Sequence, residues 1–357
     1  MPDMKFKTHM KVLLMMLVSA LLFSSCFNIE CVSDGKQTEI AVTPTASVAS
    51  RVVGGLLQGA YPIEESMGIF ACNSEFYDGQ SWTSDARISN YFENEEFRYR
   101  EDVQAWAGVN PYNWPSSGSL IFAGYSPFYQ FGGSQTLDAG FDAETGTLLI
   151  SGYQVEEYVP ITNPQMYAAD FEYKNSSQSD LMYFLPKTDS YGNYVGTMGV
   201  YAYNAKFYHA LALVVLTVQA ESDTDKEYIR LRKIAFSDMA SKGDLSAKVG
   251  RTQMGDVTWT LSADGEFRTQ TVLDNTDNSG MGINVSPRKV VEILTIPVGQ
   301  HDINITYDLI VNGKPHQETV SFQTRWEAGQ KYVYNLILGI DTIQLVPQIT
   351  TDWAVNE

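Results

Sequence analysis

Residues 301–326 constrain the fold more than any other stretch. Ile303, Ile305, Tyr307, Leu309 and Val311 recur at every second position. Asn312-Gly313 follows, and Val320, Phe322, Thr324 and Trp326 then alternate again. A period of two puts each row on one face of a strand. Asn-Gly suits a two-residue turn in which both central residues need positive φ. The stretch therefore predicts an antiparallel hairpin with one buried face. Around it, 257–263, 290–298, 331–338 and 343–349 read as further strands, with Trp353 suggesting that the last one extends. The apolar run 210–216, continued by Thr217 and Val218, reads as a strand buried on both faces.

The first half is less regular. Short apolar bursts at 67–71, 118–125, 147–152 and 181–185 are bounded by turn residues, as in an all-β domain with long loops. Residues 92–103 (FENEEFRYREDV) are expected to form a helix with a solvated charged face. Gly54-Gly55 and Gly132-Gly133 read as turns. Aromatic residues make up 12 % of the chain, which favours strands. Charged residues are 18 %, below the roughly 25 % of an average globular protein. The expectation is an all-β, mostly antiparallel chain of two tandem β-sandwich domains, 52–205 and 206–357, dividing near Lys206.

The N-terminus carries an export signal. Lys5, Lys7 and Lys11 precede an apolar run over 12–23, too short for a stable membrane span and suited to a secretory signal. Ser24-Ser25-Cys26 then gives the small-small-Cys ending of a bacterial lipoprotein signal. Residues 1–25 are thus expected to be removed and Cys26 to carry the lipid, with palmitate among its acyl chains. Cys31 and Cys72 could form one disulfide in an exported protein, although Cys72 sits in a strand-like run where a buried free thiol is equally well placed. The formal net charge of −18 argues against nucleic acid or an anionic lipid surface as a partner.

A search for chemistry finds little. His209, His301 and His316 stand apart, with no second His or Cys at ligand spacing, so no zinc site and no cofactor are expected. His209 reads as a satisfied core or edge histidine at the start of a buried strand. Residues 274–280 (DNTDNSG) are rich in oxygen ligands, but they miss the calcium-loop spacing and read as a polar hairpin loop. Glu93, Glu95, Glu96, Glu156 and Glu157 are not placed in a recognisable glycosidase order, and no catalytic residue is expected. Trp106, Tyr112, Trp114, Tyr125 and Tyr129 cluster in sequence. Trp114 and Tyr125 read as core, while Tyr112 and Tyr129 remain candidates for stacking on glycans.

Several pieces fall in one order: Glu39-Ile-Ala-Val-Thr, Ser50-Arg51, Met67-Gly-Ile-Phe-Ala, Trp114-Pro, Leu120-Ile-Phe-Ala-Gly-Tyr-Ser-Pro127, Asp180-Leu-Met-Tyr, Phe207-Tyr-His-Ala-Leu-Ala-Leu-Val-Val, Trp326-Glu-Ala-Gly-Gln-Lys-Tyr-Val-Tyr-Asn-Leu and Thr351-Asp-Trp353. This series resembles the fimbrillin family of Bacteroidetes lipoproteins, the subunits of type V pili. The resemblance implies two transthyretin-like β-sandwich domains and outer-membrane export as a lipoprotein. It also implies an arginine-specific protease that cuts between Arg51 and Val52. The piece 26–51 then becomes a lipidated tether with a removable first strand. Its alternating Ile40, Val42, Ala46 and Val48 could lie in a sheet, and Pro44 points to an edge strand or a break. Removal would open a groove that a strand of a neighbouring subunit fills. The segment 342–351, with Ile343, Leu345 and Ile349 as apolar plugs, is the donor. The implied partners are other fimbrillin subunits, in a homo- or hetero-polymer, with a host glycan or protein as receptor. Two alternatives stay open: a non-polymerising anchor or tip subunit, and a monomeric surface lipoprotein that binds glycans.

Overall fold

The structure is a computed structural model. It describes residues 38–46, 51, 52, 55, 56, 61, 63, 65–74, 88–129, 136–162, 178–190, 194–250, 254–262, 267–276, 280–347, 351 and 352. Thr38–Glu357 forms one compact unit. In chain order its strands are β1 (Ala41–Ala46), β2 (Arg51–Val52), β3 (Gly55–Leu56), β4 (Met67–Ser74), β5 (Ile88–Arg100), β6 (Ala105–Gly108), β7 (Ser119–Ser126) and β8 (Asp138–Asp142). Then come β9 (Thr147–Gln154), β10 (Met182–Phe184), β11 (Tyr203–His209), β12 (Ala212–Ala220), β13 (Ile229–Ala240), β14 (Lys242–Lys248), β15 (Asp256–Leu261) and β16 (Phe267–Asp274). The last are β17 (Met281–Gly282), β18 (Arg288–Thr295), β19 (His301–Val311), β20 (Lys314–Thr324), β21 (Gln330–Leu338), β22 (Ile343–Pro347) and β23 (Thr351–Asp352). A short helix α1 (Asp223–Tyr228) follows β12, capped by Ser222, whose hydroxyl accepts from the Asp225 N–H at 3.1 Å. The protein is all-β and dominated by antiparallel pairing.

Seven strands close a barrel in the order β1-β11-β10-β7-β4-β5-β6. The sandwich expected for this half has its edges joined because β1 pairs with β11 on one side and β6 on the other. The barrel core includes Met67, Ile69, Phe92, Phe97, Phe122 and Phe207. Its strands approach closely at Gly124. A Cβ there would sit 2.6 Å from the Gly68 carbonyl oxygen and 2.5 Å from the Phe184 ring. Gly124→Ala is therefore expected to destabilise by about 1–3 kcal/mol through overpacking, seen as a lower Tm.

The second half holds two five-stranded sheets. One is β18-β12-β21-β22, with β23 also on β21. The other is β16-β13-β19-β20, with β17 on β13. Asn312 and Gly313 have φ of 50° and 77°, and β19 pairs with β20 from Val311↔Lys314 to His301↔Thr324, as the alternation predicts. β12 is buried on both faces: Val214, Leu216 and Val218 enter one core and Leu213 and Val215 another. A four-stranded sheet, β15-β14-β9-β8, takes two strands from each half of the chain. β11 runs through Lys206 to His209, so the barrel keeps the chain as far as His209.

The helix expected over 92–103 is instead β5 and its turn. Phe92 and Phe97, five positions apart, are both buried. Neither a strand nor a helix of ideal period would place both inward. The register against β4 slips between Ile69 and Ala71 and again between Ala71 and Cys72, and Asn94 has φ of 44°. The first slip places one extra residue between Phe92 and Glu95, which brings both phenylalanines to the core side, and the second lies between Asn90 and Phe92. The acidic run that suggested a helical face is spread along a curved strand.

Candidate functional site

The barrel is closed by its first strand. Ile40 and Val42 are fully buried in the core and Pro44 takes the third inward place, while Thr43 and Thr45 face out. Each buried branched side chain contributes about 1.5–3 kcal/mol. Ile40 donates its N–H to the Tyr112 carbonyl at 2.7 Å, and the Thr38 carbonyl accepts from Trp114 at 2.9 Å. Glu39 pairs with Arg100. β1 runs parallel to β11, from Val42↔Tyr203 to Ala46↔Phe207, and the Thr45 hydroxyl donates to Asn204 Oδ1 at 3.1 Å.

The edge-strand expectation needs correction. Ala41 and Val42 pair with Ala107 and Trp106 of β6 as well as lying beside β11. Beyond Val42 the β6 ladder stops, and Pro44, which has no N–H to donate, stands where only β11 remains as neighbour. β1 is thus held on both sides at its start and on one side at its end. Ala46 closes β1; Val48 and Cys26 lie outside the described residues.

Tyr61 lies downstream of β1 and packs on both of the strands that flank it. Its ring meets Trp106 of β6 edge-on at 5.5 Å and stacks on Phe207 of β11 at 5.7 Å. Its hydroxyl pairs with Ser126. Between β1 and Tyr61, Arg51 and Val52 form a two-residue ladder with Leu56 and Gly55.

At the other end of the chain, β22 pairs with β21 alone, from Leu338↔Ile343 to Tyr334↔Pro347, and β23 continues along it with Lys331↔Thr351 and Gln330↔Asp352. One edge of this arm has no strand neighbour among the described residues. Ile343 and Val346 are 36 % and 39 % exposed, and Leu345 is half-buried against the core that holds Val214 and Leu216. Ile349 lies outside the described residues.

The other candidate residues go elsewhere. Trp114 and Tyr125 are core. The Tyr112 ring packs on Phe92 with centroids 4.6 Å apart and donates its hydroxyl to Glu95 at 2.7 Å, a bond that pushes its pKa up to about 12. Tyr129 donates to Glu96 at 2.8 Å. Both tyrosines are half-buried, and their hydroxyls are tied to the bulged strand β5. His209 ends β11, fully buried and paired with Asp180. Cys72 is a buried free thiol beside Asn90, with its pKa pushed up to about 12 by burial. The Asp274 carboxylate accepts from the Thr276 N–H and hydroxyl at 3.2 and 2.7 Å, an Asx turn. Among the described residues no group of three or more His, Cys, Asp or Glu side chains is placed to hold a metal.

Glu156, set aside in sequence among several acidic residues, has an environment that the sequence does not reveal. It follows β9, is half-buried, and accepts from the Ser179 N–H. Burial pushes its pKa up to about 7, against the bond from Ser179 and with a smaller push from Glu65. Nothing in its local sequence distinguishes it from other acidic loop residues, because its burial depends on the distant segment 178–180.

The geometry defines an all-β protein whose candidate site is a slot filled by its own first strand, together with a C-terminal arm held along one edge. A family model described as fimbrillin-like matches residues 64–353. The chain belongs to that fimbrillin-like family. Among solved structures, a fimbrial protein from Bacteroides vulgatus is similar at 15 % identity and a TM-score of 0.51, over 80 % of this chain and 92 % of that one. A proposed cell adhesion protein from Bacteroides uniformis is similar at 15 % identity and a TM-score of 0.47, over 88 % and 99 %. At such identity the first likeness bears on the fold alone. A search of curated proteins returns no match.

Proposed function

We propose that this chain is a structural, non-catalytic subunit of a cell-surface fimbria. It is exported as a lipoprotein through Cys26, cut between Arg51 and Val52, and joined to its neighbour by strand donation. The observation that carries this is β1 itself, a strand lying before Arg51 whose Ile40 and Val42 fill a barrel core. Its loss would leave an apolar slot with open backbone on β6 and β11, which is what an added strand satisfies. Tyr61 would stay behind to brace both flanks. The arm at 343–352 supplies the donor, with Ile343 and Leu345 among its apolar plugs. Other fimbrillin-like subunits are the partners, and adhesion at the outer surface is the role.

Treating the protein that lacks residues 1–25 with an arginine-specific protease should give one clean cut at Arg51 and a ladder of SDS-resistant, heat-labile oligomers. Arg51→Ala should stay uncut and monomeric. Nicking at scattered sites, or a clean cut that leaves monomers, would count against the proposal. The two-sided pairing of Ala41 and Val42 favours a second reading, an anchor subunit that keeps β1 and its lipid. That reading predicts resistance to the protease at Arg51. A glycan-binding monomer using Tyr112 and Tyr129 has less support, since both rings are half-buried and pack on Phe92 and Phe128.

A further inference from the structure

Among the described residues three strands contain a proline: β1 at Pro44, β20 at Pro315 and β22 at Pro347. In β20 it is the second residue, on the exposed run that follows the hairpin turn. In β1 and β22 it closes the same pattern. Ile40, Val42 and Pro44 hold alternate places in and just before β1, and Ile343, Leu345 and Pro347 hold alternate places in β22. The spacing recurs at Ile283, Val285 and Pro287, but those residues lie between β17 and β18 and form no strand.

The barrel gives that proline a place where it costs no ladder bond. Ile40 donates its N–H to the Tyr112 carbonyl, just past β6. Backbone N–H groups alternate between the two sides of a strand, so the N–H of the third inward place would face the β6 side as well. There the β6 ladder has ended after Val42, and β11 alone remains. A strand laid in the slot with Ile343 at the place of Ile40 brings Pro347 to this point. Gln344 and Val346 then fall with Ala41 and Thr43. The arm also stands to gain from the move. In its own chain β22 pairs with β21 alone, Ile343 is 36 % exposed and Leu345 is half-buried. In the slot Ile40 and Val42 are fully buried, and the start of the strand is held on both sides. A strand seated there gains apolar burial and a second ladder.

We propose that β22 repeats the pattern of β1 and that the slot takes it from a second copy of this chain, with Ile343, Leu345 and Pro347 in the places of Ile40, Val42 and Pro44, parallel to β11. This rests on the strand-donation reading and fixes the partner and the register within it. In this register Val346 comes beside Asn204, which Thr43 faces in β1. Neighbouring strands lie about 4.8 Å apart, within the Cα separation of a disulfide, and a slip of two residues adds about 6.6 Å along the strand and puts the pair out of reach. The test uses the chain lacking residues 1–25 with Cys26→Ser and Cys31→Ser; Cys72 is buried. With Val346→Cys and Asn204→Cys added, cutting by the arginine-specific protease under mild oxidant should give a ladder that survives heating in SDS and collapses with reductant. Gln344→Cys with Asn204→Cys should give only a heat-labile ladder. The uncut Val346→Cys, Asn204→Cys chain should stay monomeric, because β1 still fills the slot. A heat-stable ladder from the Gln344→Cys pair instead, or oligomers that neither pair traps, would overturn the register and leave strand donation standing. A cleanly cut chain that forms no ladder of either kind would remove strand donation and this inference with it.

Discussion

Ile40→Ala lowers the stability of the uncut chain by about 2–5 kcal/mol, the range for removing a large aliphatic group from a packed core. Ile40 is fully buried among the aromatic side chains of the barrel, and its N–H is bonded to the Tyr112 carbonyl. The substitution keeps that backbone bond and removes only packing. Thr43→Ala, on the outward face of the same strand, should change stability by less than about 0.5 kcal/mol. Denaturant unfolding of both variants at one pH is the measurement. Equal small effects would mean that β1 is not part of the cooperative unit, and the slot would then be open without any cut. A large effect confined to Ile40 means that β1 must be detached before another strand can take its place.

Glu156→Gln makes the chain more stable than the parent at pH 8, by up to about 3 kcal/mol, relative to the difference between the two at pH 4. Burial raises the folded pKa of Glu156 to about 7, above the roughly 4.3 of an exposed glutamate. The folded state therefore holds the proton more tightly than the unfolded one. This contribution is fully present below about pH 4 and is lost as the pH rises through 7. Gln keeps an oxygen that can accept from the Ser179 N–H and has no charge to desolvate. Chemical denaturation of parent and variant at pH 4, 6 and 8 tests the sign. A gap that does not widen with pH would show that Glu156 ionises freely in the folded chain. Tyr153, which donates its hydroxyl to the Ser179 carbonyl at 3.2 Å, and Gln178, which donates to the Glu156 carbonyl at 2.9 Å, would then hold the segment 178–180 without it.

What could be read along the chain depended on regularity. The β19–β20 hairpin was legible because eleven residue pairs run without a slip on either side of a turn that needs Asn-Gly. β12 was legible as a continuous apolar run. β5 and β13 were not, and for the same reason. β13 shifts register three times, at Leu231/Lys233, Ile234/Ala235 and Phe236/Met239, and Asp238 has φ of 63°. Every bulge shifts the inward row by one position, so a strand with several loses the period of two that a reader looks for. The candidate site divided in a similar way. The inward places of Ile40 and Val42 follow from local alternation. Pro44 taking the third place, and the pairing of Ala41 and Val42 on two sides, depend on strands more than sixty residues away. Tyr112 and Tyr129 looked available for a ligand in sequence because their partners, Glu95 and Glu96, belong to a different strand.

The sequence by itself determined the all-β class, the hairpin register, the acidic character of the chain, and the family to which it belongs. These rest on composition and on patterns within a few residues of each other. The tertiary structure alone decided that the first strand closes a barrel, that the C-terminal arm lies along one edge of β21, and that Glu156 is half-buried against the segment 178–180. Each depends on which distant backbone offers its N–H and C=O groups, or its bulk, to the segment concerned. Parallel pairing such as β1 with β11 joins residues about 160 positions apart, and no local periodicity records that choice.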